Sequence, residues 1–137
     1  MPVGALGVLL LLVRKVRLSP TRLTHCMRWL GCCDRAQEIA IDYARKRQAF
    51  GKPLIDHEGI GFVLAQNQID LKQSELMIDW CASVLDTGTL GTTESSMAKV
   101  SVSEALFRIA DNCVQVMGGR QRILMLWVNG PQSAVCA

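Results

Sequence analysis

The sequence predicts an all-α protein, an antiparallel helical bundle of about three long helices. Between residues 20 and 119, apolar residues recur at steps of three and four over long stretches. Glycine and proline are sparse there and cluster at a few points, where helices can end. Half of the residues are hydrophobic but only 5% are aromatic, so the core must be largely aliphatic. The 137 residues suffice for one domain with its own core.

The first predicted helix runs from about Thr21 to Arg47. Pro20 lies near its start, where a missing N–H is harmless, and Ser19 or Thr21 can cap it. The helix should end before Pro53, because proline disfavours helical geometry at the residue before it. Steps of three and four define a mostly small, apolar face, which a neighbouring helix could approach closely: Trp29, Cys33, Ala36, Ala40, Tyr43 and, in the last turn, Arg47.

The second predicted helix spans about Asp56 to Leu85, with Asp56 as its N-cap. Its apolar stripe is formed by Ile60, Leu64, Leu71, Ile78 and Leu85. Its polar face carries Gln66, Gln68, Asp70, Lys72, Gln73 and Glu75. A turn-rich connection, residues 86–91, follows the helix.

The third predicted helix runs from about Thr93 to Met117, with a threonine cap at Thr92 or Thr93 and Glu94 in its positive first turn. Its apolar stripe is formed by Val102, Leu106, Ile109, Cys113 and Val116. The pair Gly118-Gly119 should end it, because the backbone there enters a left-handed conformation. Three antiparallel helices with short connections imply a bundle.

Both ends of the chain differ from this pattern. Residues 1–19 form an apolar and basic leader, in which Val3–Val13 is too short to span a membrane and lacks the flanks of a secretory signal. We expect a buried strand or a poorly ordered leader there. Residues 120–137 form a divergent tail whose apolar run, residues 123–128, could be a short helix or a strand.

The charge pattern argues against nucleic acid as a partner. Three of the fifteen basic residues, Arg14, Lys15 and Arg17, lie in the leader, and the remaining twelve balance twelve acids. No basic stripe with interleaved aromatic residues is present in the sequence.

The cysteines predict neither a disulfide framework nor a metal site. The six thiols (Cys26, Cys32, Cys33, Cys81, Cys113 and Cys136) form no C-x-x-C pair, and His25 and His57 complete no ligand spacing. We interpret them as free thiols that behave as small apolar residues in a reducing compartment, either the cytoplasm or the mitochondrial matrix.

Three segments of the chain carry a resemblance to a known family. Residues 43–54, YARKRQAFGKPL, resemble the pattern Y-x-x-x-R-x-x-F-G-K-x-L of the acyl-CoA dehydrogenases, with His57 shortly after. Residues 115–119, QVMGG, resemble the family's Q-x-x-G-G. Residues 22–31, RLTHCMRWLG, are similar to the start of the family's long central helix, especially in the subfamily related to phosphotransferase-fused members. The resemblance implies that residues 20–119 form part of the four-helix C-terminal domain.

The resemblance also implies roles for individual residues. FAD, bound at a subunit interface, would contact Arg47, Phe50, His57, Gln115, Gly118 and Gly119. Arg22 matches an arginine that helps to bind the CoA moiety of the substrate. A solvated helix-end cation is the alternative for Arg47, and a plain helix C-cap is the alternative for the two glycines. Glu58 departs from the glutamine that is common in the family after His57, which weakens the assignment of this pair to the adenine site.

No catalytic residue is assigned. The family needs a carboxylate base, and the position aligned with one of its two known locations holds Thr21. The sequence therefore predicts a partial FAD-dependent acyl-CoA dehydrogenase, with little or no activity expected from the isolated chain. The complete enzyme would oxidise acyl-CoA to 2-enoyl-CoA, use electron-transfer flavoprotein as its partner and form a homo-dimer or tetramer.

Two alternatives to an enzyme stay open. One is a non-enzymatic helical oligomerisation or scaffold module, because three helices leave an apolar groove that self-association could fill. In the enzyme, Arg47, Phe50 and Gln115 would meet at one edge of the cofactor. In the scaffold module they would merely lie at helix ends. The other is a membrane-anchored protein that uses Val3–Val13 as its anchor.

Overall fold

A computed structural model describes residues 5–118, which form three long helices. Helix α1 (Ala5–Lys46) and helix α2 (Glu58–Asp86) are joined by a hairpin and a short 3₁₀ helix, and α3 (Thr92–Met117) follows. The hairpin pairs β1 (Gln48–Ala49) with β2 (Lys52–Pro53), and the 3₁₀ helix is Leu54–Asp56. The predicted all-α helical fold is confirmed.

Helix α1 begins earlier than the sequence predicted, at Ala5 and not near Thr21. The expectation of a strand is therefore wrong from Ala5 onward. The residues before Pro20 are mostly leucine, valine and basic residues with no helix breaker after Gly7, so the helix can continue through the proline. The hydroxyl of Thr24 donates to the carbonyl of Pro20 at 2.9 Å.

Helices α1 and α3 run parallel to each other, with α2 antiparallel to both. The Ser19 hydroxyl donates to the carbonyl of Leu90, and the Cys33 thiol lies 3.5 Å from the carbonyl of Leu106. These contacts join residues separated by 71 and 73 positions, so residues farther along α1 meet residues correspondingly farther along α3, as in parallel helices. The end of the bundle that holds the hairpin also holds the end of α3, and the α2–α3 connection lies at the opposite end.

The buried face of α1 is rotated from the predicted one. Cys33, Ala36 and Ala40 are buried as predicted, but Trp29 is 61% exposed and Arg47 is exposed. The face is completed by Leu23, Cys26 and Ala44. Residues of this small size allow the close approach that the sequence predicted.

The apolar stripes of the other two helices are confirmed. Leu64, Leu71 and Ile78 of α2 are buried, and Ile60 and Leu85 are half-buried against the same core. All five stripe residues of α3 are buried: Val102, Leu106, Ile109, Cys113 and Val116.

The predicted caps are only partly correct. Asp56 belongs to the 3₁₀ helix, and His57 occupies the N-cap of α2 without a side-chain cap. Gly91, not a threonine, caps α3 with a φ of 51°, and a Cβ there would lie 2.5 Å from Leu85 Cδ2. Only glycine combines that φ with that close contact. Gly118 ends α3 with a positive φ of 54°, as predicted.

Polar side chains cross the centre of the core. Asn67 donates through Nδ2 to Gln37 Oε1 at 2.9 Å, and Asn112 donates through Nδ2 to Asn67 Oδ1 at 2.7 Å. Gln37 in turn donates through Nε2 to the carbonyl of Leu64 at 2.9 Å. This polar network, Gln37–Asn67–Asn112, joins all three helices. Among the described residues, every buried side-chain nitrogen and oxygen has a hydrogen-bond partner.

Asp70 was predicted on the solvated face of α2, and this prediction is wrong. The residue is only 4% exposed, and its carboxylate accepts from Arg108 Nη2 at 3.2 Å and from Gln66 Nε2 at 3.0 Å. A buried carboxylate needs such partners, because its desolvation is costly. The interaction therefore fixes α2 against α3.

None of the helices described between residues 5 and 118 is long and apolar enough to cross a membrane.

Candidate functional site

The hairpin after α1 places an aromatic side chain in the open. Its two central residues, Phe50 and Gly51, have φ values of 53° and 82°. Positive φ at both positions is typical of a type I′ turn, which suits the twist of a two-residue hairpin. Glycine adopts this conformation freely, whereas phenylalanine does so at a cost of about 1 kcal/mol or more. Phe50 is nevertheless 97% exposed, so no burial of its ring offsets that cost.

His57 holds this turn in place. Its Nε2 lies 3.0 Å from the carbonyl oxygen of Ala49. Since a carbonyl only accepts, Nε2 carries the proton. The imidazole also contacts the Phe50 ring edge-on, with centroids 6.1 Å apart. The two residues predicted to share a cofactor role are therefore in direct contact.

Arg47 lies at the base of the same hairpin. Its backbone N–H donates to Tyr43 at 2.9 Å and its carbonyl accepts from Leu54 at 2.8 Å, which closes the hairpin onto the end of α1. The side chain is exposed. A planar guanidinium in this position can bind a phosphate through two parallel hydrogen bonds.

The end of α3 lies at this end of the bundle. Gln115 is exposed, and Gly118 is exposed with an open approach to its backbone. Gly119 lies outside the described residues. Helix α2 begins here too, so the positive end of its dipole faces the same side, although Glu58 places a negative charge in its first turn. The hairpin, the start of α2 and the end of α3 together form what we term the hairpin end.

Arg22 lies far from the hairpin end. Its Nη1 donates to the hydroxyl of Ser96 at 2.7 Å, close to the start of α3. Along α1 it is separated from Arg47 by about 37 Å. The two arginines therefore cannot contact the same small group. The neighbouring Thr21 hydroxyl donates to the carbonyl of Arg17 at 2.8 Å.

An apolar groove runs between α1 and α3, with a volume of about 470 Å³. Its walls include Trp29, Ala36, Phe107, Ala110 and Val114. We term it the α1–α3 groove. Polar groups line it mainly at one end, where His25 and Lys99 lie at the same level of the two parallel helices.

The thiols of the described residues are free, as predicted, and four of the five are buried. Burial raises the pKa of Cys33 to about 12 and the pKa of Cys113 to about 11. Raised values make these thiols poor nucleophiles. The described residues contain no group of three or more potential metal ligands.

Sequence reasoning missed the hairpin itself and the polar network. Gly51 and Pro53 indicated only that the helix ends here, and phenylalanine is not a turn former, so nothing in the sequence indicated a two-residue hairpin turn. Gln37 and Asn67 resemble ordinary surface residues in the sequence, and only the packing of the three helices reveals their burial.

Comparisons with known proteins agree on one family. The sequence profile described as "Acyl-CoA dehydrogenase, C-terminal domain" matches residues 11–122. Rat acyl-CoA dehydrogenase family member 11 is 37% identical over 105 residues, which are 75% of this chain and 14% of the relative. The subunit CarC of the caffeyl-CoA reductase-Etf complex of Acetobacterium woodii is 35% identical over 102 residues, 74% of this chain and 27% of that protein.

The fold has a counterpart among solved structures. The butyryl-CoA dehydrogenase of Megasphaera elsdenii superimposes with a TM-score of 0.74 and 26% sequence identity. The match covers 78% of this chain and 28% of that enzyme. The chain thus spans a minor part of the length of each of these relatives.

Proposed function

The chain belongs to the acyl-CoA dehydrogenase family, within its C-terminal domain, and on this basis we propose that its hairpin end contributes the adenosine-diphosphate side of an FAD site at a subunit interface. The complete enzyme would oxidise an acyl-CoA thioester to its 2-enoyl form. When bound, FAD supplies the two-electron oxidant for that reaction. The proposal concerns the contacts that residues of this chain offer to it.

The conformation of Phe50 is the observation that carries this proposal. The strained position holds an aromatic ring almost wholly in solvent, where its edge-on contact with His57 buries almost none of the ring. Backbone strain of this kind is frequent at ligand-binding sites. The exposed ring offers a flat apolar face to a purine, and the His57 bond to Ala49 keeps that face presented.

The charges at the hairpin end suit a diphosphate. The exposed guanidinium of Arg47 is the donor that we assign to it. Gly118, where no side chain limits the approach, would permit close backbone contact, with Gln115 one turn before it as a polar partner. Arg47, Phe50 and Gln115 lie at the same end of the bundle, which supports the proposal.

Arg22 has a separate role in this proposal. Its distance of about 37 Å from Arg47 along α1 suits a contact with a different ligand, the CoA part of the substrate. Ser96 orients the guanidinium from α3. We assign no catalytic base, because Thr21 has no carboxylate, and we expect little or no turnover by the 137-residue chain alone.

The partners are proposed on the same basis. The name of the CarC relative places that protein in a complex with Etf, which supports electron-transfer flavoprotein as the electron acceptor of the complete enzyme. A cofactor site at a subunit interface requires at least a dimer. The five free cysteines between residues 5 and 118 suit a reducing compartment, the cytoplasm or the mitochondrial matrix.

Flavin binding tests the proposal directly. The full chain would be purified with excess FAD, and the flavin absorbance of its peak on a sizing column would be measured. We expect flavin in a dimer or tetramer peak, and its loss in Phe50→Ala. Leu90→Ala removes an exposed apolar side chain at the opposite end of the bundle and serves as the matched control. Flavin binding that Phe50→Ala leaves unchanged would refute the assignment.

An exposed stripe on α2 favours a second candidate, a non-enzymatic oligomerisation module. Phe62, Ile69 and Leu76 are 66%, 50% and 57% exposed. Their spacing of seven residues places them on one side of the helix, as at a helix–helix interface. We term them the α2 stripe. This module would associate without flavin, which the same sizing experiment would detect.

A further inference from the structure

The α1–α3 groove is apolar along most of its length. Its lining includes the buried side chains of Cys33, Val102 and Leu106, and the exposed rings of Trp29 and Phe107 border it. Burial raises the pKa of Cys33 to about 12, so this part of the lining stays uncharged at neutral pH. The volume of about 470 Å³ is that of a small-molecule site.

One end of the groove is basic. His25 of α1 and Lys99 of α3 line it there, and none of the described residues that line the groove is acidic. Arg22 precedes His25 by one helical turn, as Ser96 precedes Lys99, and the Arg22 guanidinium donates to the Ser96 hydroxyl at 2.7 Å. We term Arg22, His25 and Lys99 the basic end.

The ammonium of Lys99 is available to a ligand. Its side chain is exposed, and it takes part in none of the salt bridges between residues 5 and 118. The hydroxyl of Ser103, farther along the groove, donates to the carbonyl of Val100 within its own helix at 3.0 Å. The positive charge therefore lies at the basic end, with no competing charge along the apolar part.

We propose that the α1–α3 groove binds an unesterified long-chain fatty acid, with its carboxylate at the basic end and its alkyl chain directed toward Val114. The inference goes beyond the proposed flavin site, which lies at the hairpin end. A free carboxylate is the group that the charges select, since the carbonyl of a thioester is neutral.

The charges favour this ligand over an uncharged one. A purely apolar occupant would desolvate Lys99 and His25 without compensation, which is costly. A carboxylate would instead accept charge-assisted hydrogen bonds from the basic end. The apolar part of the groove then receives the alkyl chain, which has no polar group to satisfy.

The length of the groove sets the length of the chain. From Lys99 to Val114 the groove extends about 22 Å along α3. An extended alkyl chain advances about 1.3 Å per carbon, because its C–C bonds of about 1.5 Å alternate in direction. Chains of about 12 to 16 carbons therefore fit within the groove. Each methylene buried there should strengthen binding by up to about four-fold.

Calorimetric titration of the full-length, flavin-free chain with dodecanoate below its critical micelle concentration tests the proposal. We expect saturable binding, and binding of methyl dodecanoate that is weaker by at least about five-fold, since the ester lacks the charge. Lys99→Met keeps an apolar stem and should weaken dodecanoate binding about three- to five-fold. Lys72→Met, which removes an exposed ammonium from α2, is the matched control and should have no effect.

Cysteine labelling locates the bound ligand. Cys32 lines the groove and is half-buried, so dodecanoate should slow its modification by iodoacetamide several-fold. Ala110→Phe places a ring in the apolar part of the groove and should abolish dodecanoate binding. If circular dichroism shows that this variant is unfolded, Lys99→Met decides, because its side chain is exposed.

Three results would overturn the proposal. They are no binding of dodecanoate, equal binding of dodecanoate and its methyl ester, and binding that leaves the labelling rate of Cys32 unchanged. Because no flavin is present, these outcomes are independent of the FAD experiment. Either proposal can therefore fail while the other stands.

Discussion

The Nε2–H of His57 donates to the carbonyl of Ala49, 3.0 Å away, immediately before the residue whose backbone is strained. The bond joins the N-cap of α2 to β1, so it holds the Phe50-Gly51 turn against the bundle. A turn that would otherwise be free to relax is thereby fixed with its ring exposed. Strain and cofactor binding can be separated experimentally at this site.

Phe50→Gly should affect stability and flavin binding in opposite directions. Glycine adopts a φ of 53° without cost, and the lost ring is 97% exposed, so the free energy of unfolding should rise by up to about 1 kcal/mol. Loss of the aromatic face should weaken FAD binding at least as much as in Phe50→Ala. Urea denaturation and flavin titration measure the two quantities. A loss of stability of more than about 1 kcal/mol, which exceeds the effect of glycine on the unfolded chain, would mean that the ring has a structural role.

Glu58→Gln should strengthen flavin binding. Removal of an exposed negative charge at the hairpin end should raise affinity for the diphosphate by roughly two- to five-fold at low salt. The same change should slightly lower the free energy of unfolding, because a negative charge in the first turn of α2 interacts favourably with the helix dipole. Titrations at two salt concentrations check this, with Glu104→Gln on the exposed face of α3 as the control. If Glu58→Gln and the unsubstituted chain bind FAD with equal affinity at low salt, the phosphates of FAD do not lie near residue 58.

Asn67→Ala should be strongly destabilising. The asparagine is fully buried, accepts from Asn112 and donates to Gln37, so its removal takes one hydrogen-bond partner from the Asn112 Nδ2 and one from the buried Gln37 Oε1. We expect a loss of about 2–4 kcal/mol in the free energy of unfolding. Gln73→Ala, at an exposed position of the same helix, should change it by less than about 0.5 kcal/mol. Chemical denaturation of both variants decides whether the polar network is important for stability.

Alkaline pH should destabilise the fold. Burial raises the pKa of Cys33 from 9.0 to about 12 and that of Cys113 from 9.0 to about 11. Above pH 9 the unfolded chain releases these protons and the folded chain retains them, so stability falls until the folded pKa values are reached. The slope is at most about 1.4 kcal/mol per pH unit for each thiol. Denaturation under reducing conditions between pH 7 and 10.5 should show the loss, and the double variant Cys33→Ala, Cys113→Ala should flatten the curve.

Leu76→Glu should reduce self-association through the α2 stripe. The side chain is 57% exposed in the middle of that surface, and a charge there would have to be desolvated on pairing. Sedimentation velocity over a range of concentrations should show a shift toward monomer. Gln73→Glu, which adds the same charge on the exposed surface of the same helix, is the control. An unchanged distribution would place the interface on another face.

Periodicity predicted the parts of the fold that depend on a single helix. The stripes of α2 and α3 are correct because leucine, isoleucine and valine define a face by themselves. The face of α1 was harder to predict because its buried residues are small. Trp29, the largest apolar residue of the predicted face, lies on an exposed side of the helix. Alanine and cysteine give little contrast between a buried and a solvated position.

The candidate site was found by resemblance and not by physical pattern. The motif located Arg47, Phe50 and His57, but the strained turn that presents the ring depends on a hairpin of two-residue strands, which has no periodic signal. The burial of Asp70 was missed for a related reason. Its partner Arg108 lies 38 residues away, and only tertiary packing brings a surface-like carboxylate and that arginine together.

The contacts between α1 and α3 also constrain the order of folding. Cys113 lies 3.6 Å from Gln37, a residue 76 positions earlier in the chain. During synthesis, α1 emerges from the ribosome before α3 has been made. The small apolar face of α1 therefore stays uncovered until α3 is available. The pair of antiparallel helices α1 and α2 can form early, because their contacts are closer in sequence. Packing of α3 against α1 requires the whole intervening chain to be ordered. The nascent chain therefore exposes a cysteine- and alanine-lined surface of α1 until α3 has emerged and packed against it, and in that interval it should be a substrate for chaperones.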